Sequence, residues 1–205
     1  MNVSISLGVP KIHSCTLAQL IYNSGRHLFD YMFETDTVAN SLLLQASANQ
    51  DGQFGYDNHD CLLSSHSGTQ ALVACIALWH SEHSSSFQQQ TITSLANNLS
   101  ADSLRRVMMI NSDLLAVFAP PQASELCLGH VSVVPAYRTL GLATRLIEHA
   151  VLQADKLGKS KLVLDVECSN LAAISCYTKN GFELEKKSRL ANTQYDFFRM
   201  ARFLV

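Results

Sequence analysis

The segment Arg138-Thr139-Leu140-Gly141-Leu142-Ala143-Thr144 is the part of this chain whose residue types and order most directly suggest chemistry. Gly141 and Ala143 remove side-chain bulk where the backbone enters a helix. Successive N–H groups there can approach an anion, and the helix dipole adds partial positive charge. A pyrophosphate suits such a corner. The phosphate loop G-x-x-x-x-G-K-[ST] and the dinucleotide fingerprint G-x-G-x-x-G are both absent, which demotes ATP, GTP and NAD as the ligand. A metal centre is not expected either: His80-Ser81-Glu82-His83 is not H-E-x-x-H, and no third ligand stands at a suitable spacing.

The elements that must position this corner are a strand over 126–134, a loop over 135–140 and a helix over 141–157. The helix is amphipathic, with Leu142, Leu146, Ile147, Ala150, Val151, Ala154 and Leu157 on one broad face and Gly158 as its stop. A strand over 161–167, a helix over 170–180 and two last strands around 182–186 and 195–203 complete the second half. Strand, helix, strand in that order implies a parallel pair with a right-handed crossover. In the first half, residues 3–7 read as a strand and 16–23, 27–33 and 38–48 as helices, with Thr35, Asp36 and Thr37 as N-cap choices. Residues 61–65 and 70–79 read as a hairpin around Ser67-Gly68. The Ser- and Gln-rich stretch 81–94 reads as a surface loop. The apolar-periodic run from Leu104 through Leu115 has a candidate break at Asn111-Ser112, and Pro120-Pro121 ends it.

Composition bounds the function. At 205 residues the chain is one to one and a half typical domains. Its 47% hydrophobic content argues against disorder. Charged residues are 16% with a net charge of -2, which argues against a general nucleic-acid binder. The longest apolar run, Ala71 to Trp79, is too short to cross a bilayer. The N-terminus lacks the basic and apolar regions of a secretion signal, so a cytoplasmic location is the default expectation. Cys15, Cys61, Cys75, Cys127, Cys168 and Cys176 are scattered and read as reduced core residues. The stretch before residue 100 is acidic and the remainder basic, as expected if the C-terminal half receives an anionic ligand.

Two linked patterns carry a resemblance. Val133-Val134-Pro135-Ala136-Tyr137-Arg138 reads as V-x-P-x-Y-R. Farther on, Leu164-Asp165-Val166-Glu167-Cys168-Ser169-Asn170 leads to Ala173, Tyr177 and Gly181-Phe182, with Asn170, Ala173 and Tyr177 at N-x-x-A-x-x-x-Y spacing. In these features the chain resembles the GCN5-related N-acetyltransferase family. The resemblance implies an α/β fold: a mixed, twisted sheet of six or seven strands flanked by helices, its parallel fourth and fifth strands splayed. It implies one domain over 1–205, with residues 1–100 forming divergent acceptor-side helices and a hairpin and 125–203 the acetyl-CoA-binding core. Acetyl-CoA would be the co-substrate, without a metal. Its pyrophosphate would meet the corner from Arg138 through Thr139, Leu140, Gly141, Leu142, Ala143 and Thr144. Its pantetheine arm would pair with the backbone near Val131 and Val133. Asn170, Ala173 and Tyr177 would complete the cofactor side. Alanine at 143, where the family often has glycine, costs little if φ stays negative.

The implied activity is transfer of acetyl to a primary amine of a small molecule or protein by direct attack. Tyr177 occupies the family's general-acid position. The base is open: Glu125 shares strand parity with Val131 and Val133, His130 does so only if a bulge shifts the parity, and water is the third option. Asp30, Tyr31, Glu34, Tyr56 and Asp57 stand where relatives form the acceptor pocket, and Arg105, Arg106 and Arg145 carry the charge to meet the 3'-phosphate of CoA. The alternatives are a non-catalytic acyl-CoA-binding sensor or regulatory module, and a transferase of longer acyl groups. Homodimers are common in the resembling family, though no sequence feature marks an interface.

Overall fold

Seven strands, β1 (Asn2–Ser6), β2 (His59–His66), β3 (Thr69–Trp79), β4 (Glu125–Val133), β5 (Lys161–Glu167), β6 (Glu183–Arg189) and β7 (Asp196–Phe203), form one mixed sheet in the order β1-β2-β3-β4-β5-β7-β6. The computed structural model describes residues 2–66, 68–82 and 85–204. Seven helices accompany the sheet among these residues: α1 (Ser14–Ser24), α2 (Arg26–Phe33), α3 (Asp36–Ala46), α4 (Ser85–Asn98), α5 (Ala101–Val117), α6 (Leu142–Lys156) and α7 (Leu171–Lys179). The expected parallel pair is present, with Glu125 to Leu128 of β4 aligned on Lys161 to Leu164 of β5. The chain divides into two compact units, one of Met1–Ala77, His83–Met109 and His130–Leu142, the other of Leu78–Glu82, Ile110–Gly129 and Ala143–Val205.

In the first unit, hydrophobic spacing builds three short helices whose inner faces bury Leu17, Ile21, Phe29, Phe33, Leu42 and Leu43. Thr35 is the cap that forms before α3, its hydroxyl accepting the Val38 N–H at 3.2 Å. The hairpin is longer than its predicted strands, and Ser67 of its turn lies outside the described residues. The stretch expected as a loop over 81–94 is mostly helix α4. Near its end Leu95, and Leu99 just beyond it, pack on the core. Asn111 and Ser112 do not break α5, because both are exposed and a polar solvent face is compatible with a helix. Met108, counted in the apolar period, is 71% exposed.

In the second unit, α6 buries Leu142, Leu146, Ile147, Ala150 and Ala154 as its pattern predicts, although Leu157 is 43% exposed. Gly158 ends it at φ +63°, where the Lys159 N–H returns to the Ala154 carbonyl at 2.8 Å. Strand β7 runs antiparallel to β5 from Lys161 opposite Phe203 to Glu167 opposite Phe197. The edge strand β6 is largely exposed and carries Glu183, Glu185, Lys186, Lys187 and Arg189, charges that discourage edge pairing. Gly129 has a steric reason: a Cβ there would collide with the Trp79 ring. All six cysteines are free; Cys61, Cys75 and Cys127 are buried as expected, whereas Cys15 is exposed.

Candidate functional site

After β4 the chain enters a 3₁₀ turn, Pro135–Tyr137, in which the Tyr137 N–H bonds the Val134 carbonyl at 2.8 Å and the Arg138 N–H the Pro135 carbonyl at 3.2 Å. The Val134 N–H bonds Val73 O at 2.9 Å and ties the loop's start to β3. The backbone then alternates in hand: φ is -66° at Arg138, +63° at Thr139, negative at Leu140 and +76° at Gly141 before helix α6 begins. The two positive φ values reverse the chain sharply into the start of α6, whose N-terminal amides suit an anion. The first amides of α6 add donors without intrahelical acceptors. A Cβ at Gly141 would meet nothing within 4 Å, so glycine is required there by φ and not by space. Arg138, Thr139, Leu140 and Gly141 are exposed, and the Arg138 guanidinium donates to Val133 O at 3.3 Å. Val131 and Val133 are half-buried along β4.

Immediately before Val131, His130 adopts φ +48°, so the inside–outside alternation assumed for β4 is interrupted there. Its ring packs against Phe29, Phe54 and His59 at centroid distances of 6.0, 5.8 and 5.1 Å. His59 Nε2 lies 2.9 Å from His130 Nδ1, and His59 Nδ1 lies 2.9 Å from the Gly55 carbonyl. Burial drives His59 from 6.5 down to about 4, against the opposing pull of the Gly55 carbonyl and Asp60. Burial, with a smaller contribution from His59, holds His130 well below 6.5. Both imidazoles are therefore neutral at pH 7. Sequence reasoning missed His59, which stands 71 positions from His130. The one available hint was a glycine inside a strand pattern, next to a polar residue.

In the second unit Asn170 caps α7, its side-chain oxygen accepting the Ala173 N–H at 3.2 Å, which explains the N-x-x-A spacing as a helix start. Tyr177 is 8% exposed and meets Phe182 edge to face at 5.9 Å. Burial raises its phenol above the usual 10. At the end of α7, the Asn180 amide donates to Thr144 Oγ1 at 3.2 Å and Cys176 O at 2.8 Å, joining that end to the first turn of α6. This contact was also missed.

Glu125 sits in a charged cluster. One oxygen accepts from Lys161 at 3.0 Å; the other accepts the Gln122 N–H at 2.9 Å and faces Arg199 at 3.5 Å. Burial pushes its carboxyl up, but these donors outweigh it and leave it below the usual value. Arg199 also reaches Asp165 at 3.2 Å, and burial raises Asp165 to about 6.

The residues suggested for an acceptor pocket and for the 3'-phosphate have internal partners. Asp30 accepts from Tyr22 at 2.8 Å, Glu34 from Ser103 at 3.1 Å, and Asp57 from Gln50 at 2.7 Å. Arg105 pairs with Asp102 at 2.8 Å, and Arg106 donates to Tyr31 O at 2.8 Å. Among the described residues no group of three or more His, Cys, Asp or Glu could hold a metal ion, and no helix is long and apolar enough to cross a membrane. His83 lies outside the described residues.

Comparison with known proteins bears on this geometry. The chain is 39% identical over 70 residues to the [ribosomal protein bS18]-alanine N-acetyltransferase of Escherichia coli (strain K12), a match covering 33% of this chain and 47% of that one. The chain thus spans about half the length of the curated relatives it matches. An N-acetyltransferase structure from Staphylococcus aureus Mu50 superposes with a TM-score of 0.66 at 15% identity, covering 97% of this chain and 99% of that one. The structure of yncA from Salmonella typhimurium with its cofactor acetyl-CoA gives 0.54 at 16% identity, covering 100% and 95%. These likenesses establish the fold. The sequence also matches the acetyltransferase (GNAT) family over residues 28–182, and the chain belongs to that family.

Proposed function

We propose that the protein transfers the acetyl group of acetyl-CoA to a primary amine. The observation that carries this reading is the turn after β4, where φ alternates in sign through Thr139 and Gly141 and leads into a helix N-terminus. That arrangement of amides suits a diphosphate, and a family relative is known with acetyl-CoA bound. In this reading Arg138 to Thr144 receive the pyrophosphate, and the backbone at Val131 and Val133 receives the pantetheine amides. Asn170 and Ala173 contribute by starting the helix that bears Tyr177.

The reaction has a simple balance. The amine nitrogen attacks the thioester carbonyl carbon, the C–S bond breaks, one proton leaves the nitrogen and one reaches the sulfur. Tyr177 is the donor to sulfur: its raised pKa keeps the phenol protonated, so it can hydrogen-bond the thiolate as it forms. For the base we favour His130 over Glu125. Both Glu125 oxygens are occupied by cationic or N–H donors, whereas burial lowers the basicity of His130 but leaves its ring neutral. Glu125 then serves as the anion that neutralises Lys161 and Arg199. The likeness to an enzyme acting on a protein-borne alanine makes peptide α-amines the first acceptors to try.

Release of free CoA thiol from acetyl-CoA, followed across a panel of peptide, lysine-like and small-molecule amines, tests the proposal. Amine-dependent release is the expected result. Thermal stabilisation by acetyl-CoA with no acceleration by any amine would instead mark a non-catalytic sensor.

A further inference from the structure

The two end strands of the sheet are built differently. Strand β6 carries Glu183, Glu185, Lys186, Lys187 and Arg189, and its register with β7 shifts between Leu184 and Lys186. Charges and a bulge are the usual devices that keep an edge strand from pairing with another chain. Strand β1 has neither. It reads Asn2-Val3-Ser4-Ile5-Ser6, without charge or proline, and it follows β2 without a break from Asn2 opposite Ser65 to Ser6 opposite Cys61. Among the described residues β1 has a strand on one side only.

The side chains along this edge are exposed and apolar. Ile5 is 42% exposed, Leu7, just past the strand, 69%, and Ile12, in the 3₁₀ turn Lys11–His13, 84%. Large apolar side chains gathered beside an open edge gain free energy when a partner covers them.

We propose that a second copy of this chain covers this edge, with β1 pairing antiparallel to its own counterpart across a two-fold axis. The sequence of β1 is self-complementary in that arrangement. A two-fold axis perpendicular to the sheet turns the same face of both copies to the same side, so positions of equal parity must oppose each other. Centring the axis on Ser4 pairs the whole strand: Asn2 stands opposite Ser6 of the second copy, Val3 opposite Ile5, and Ser4 opposite Ser4. Apolar then meets apolar on one face and hydroxyl meets hydroxyl on the other, both favourable cross-strand pairs. Moving the axis to Val3 or Ile5 leaves two residues of β1 without a counterpart in the strand. An unrelated partner strand would need no such symmetry. The pairing also brings no like charges together, which is the repulsion that guards β6. A short strand and a few side chains make a small interface, so the dimer is a weak one.

Two measurements on the full chain test this, one of mass and one of register. Sedimentation from about 1 to 500 μM should show monomer passing to dimer and no further, with the micromolar dissociation constant of a small interface. Ile5→Lys places a charge on the edge and should raise that constant at least about tenfold, with the circular dichroism spectrum and melting temperature unchanged. Register is read by cysteine cross-linking in a Cys15→Ser background, because Cys15 is an exposed free thiol. Diamide takes up the two hydrogens as two thiols join. With it, Ser4→Cys should give a dimer that mass spectrometry maps to a disulfide between the two residues 4. Leu7→Cys, more exposed but offset along the strand from its counterpart, should not link to itself. A wild type that stays monomeric at the highest concentration overturns the proposal. So do growth into larger assemblies, a folded Ile5→Lys variant that dimerises like wild type, and Leu7→Cys linking as readily as Ser4→Cys. Should Ile5→Lys not fold, the wild-type sedimentation and the cross-links still decide. None of these outcomes depends on acetyl transfer, so the interface stands or falls apart from the function proposed above.

Discussion

Replacing His59 by Gln should change how stability depends on pH, in a window fixed by the burial of that imidazole. His59 falls from 6.5 in the unfolded chain to about 4 in the folded protein. Between those values the unfolded state binds more protons, so stability is fully present above pH 6.5 and is lost as pH falls toward 4. At 1.36 kcal/mol per tenfold change in proton affinity, the loss is about 3 kcal/mol. Asp165 works against it in the same range. Raised from 3.8 to about 6, its carboxyl is protonated more readily in the folded state, so its contribution is lost as pH rises through that interval. His130, also held well below 6.5, adds a loss of the same sign as His59, so the absolute curve of the wild type sums opposing groups and the informative quantity is a difference. Urea unfolding of wild type and His59→Gln, followed by circular dichroism at half-unit steps from pH 4 to 7.5, should show the variant gaining about 3 kcal/mol relative to wild type as pH falls across this range. A difference that stays constant with pH would refute the claim that His59 is held neutral in the fold.

Three further perturbations separate the assigned roles. Tyr177→Phe keeps the ring that packs on Phe182 and removes the hydroxyl, so turnover should fall roughly 10- to 10⁴-fold while calorimetry finds acetyl-CoA affinity unchanged. Glu125→Gln removes the anion shared by Lys161 and Arg199, which keep Glu185 and Asp165; thermal and urea denaturation should show a loss of about 1 kcal/mol, whereas kcat of the folded variant should match wild type, the reverse of what a catalytic base would give. Gly141→Ala meets no atom but must hold φ +76°, so about 1 kcal/mol of stability should be lost and acetyl-CoA binding should weaken as the turn distorts.

Much of the second half was legible because its signals are local. Gly158 ends α6, Asn170 starts α7, and the apolar face of α6 repeats at helical spacing, each within a turn or two of chain. The corner at Gly141 was legible for the same reason, although the second positive φ, at Thr139, has no residue-type signature. What escaped depends on distance or on masking. Helix α4 was hidden by a run of serine and glutamine, its core contact Leu95 standing only near its end. His59 meets His130 only because β2 and the last residues of β4, from His130 on, belong to one folded unit, and neither residue's neighbours announce the other. Glu125 was favoured as a base on strand parity, a rule that says nothing about Lys161 and Arg199 waiting across the ladder.

The most direct measurement follows an isotopically labelled acetyl group. The protein is incubated with acetyl-CoA carrying deuterium on the acetyl methyl and with a peptide bearing a free α-amine, and the peptide is analysed by mass spectrometry. Label on the peptide nitrogen, in amounts matching the free CoA produced and abolished by omitting the protein, is the outcome the account predicts. Intact acetyl-CoA and unmodified amines across the whole panel, at protein and cofactor concentrations where binding is saturated, would contradict it.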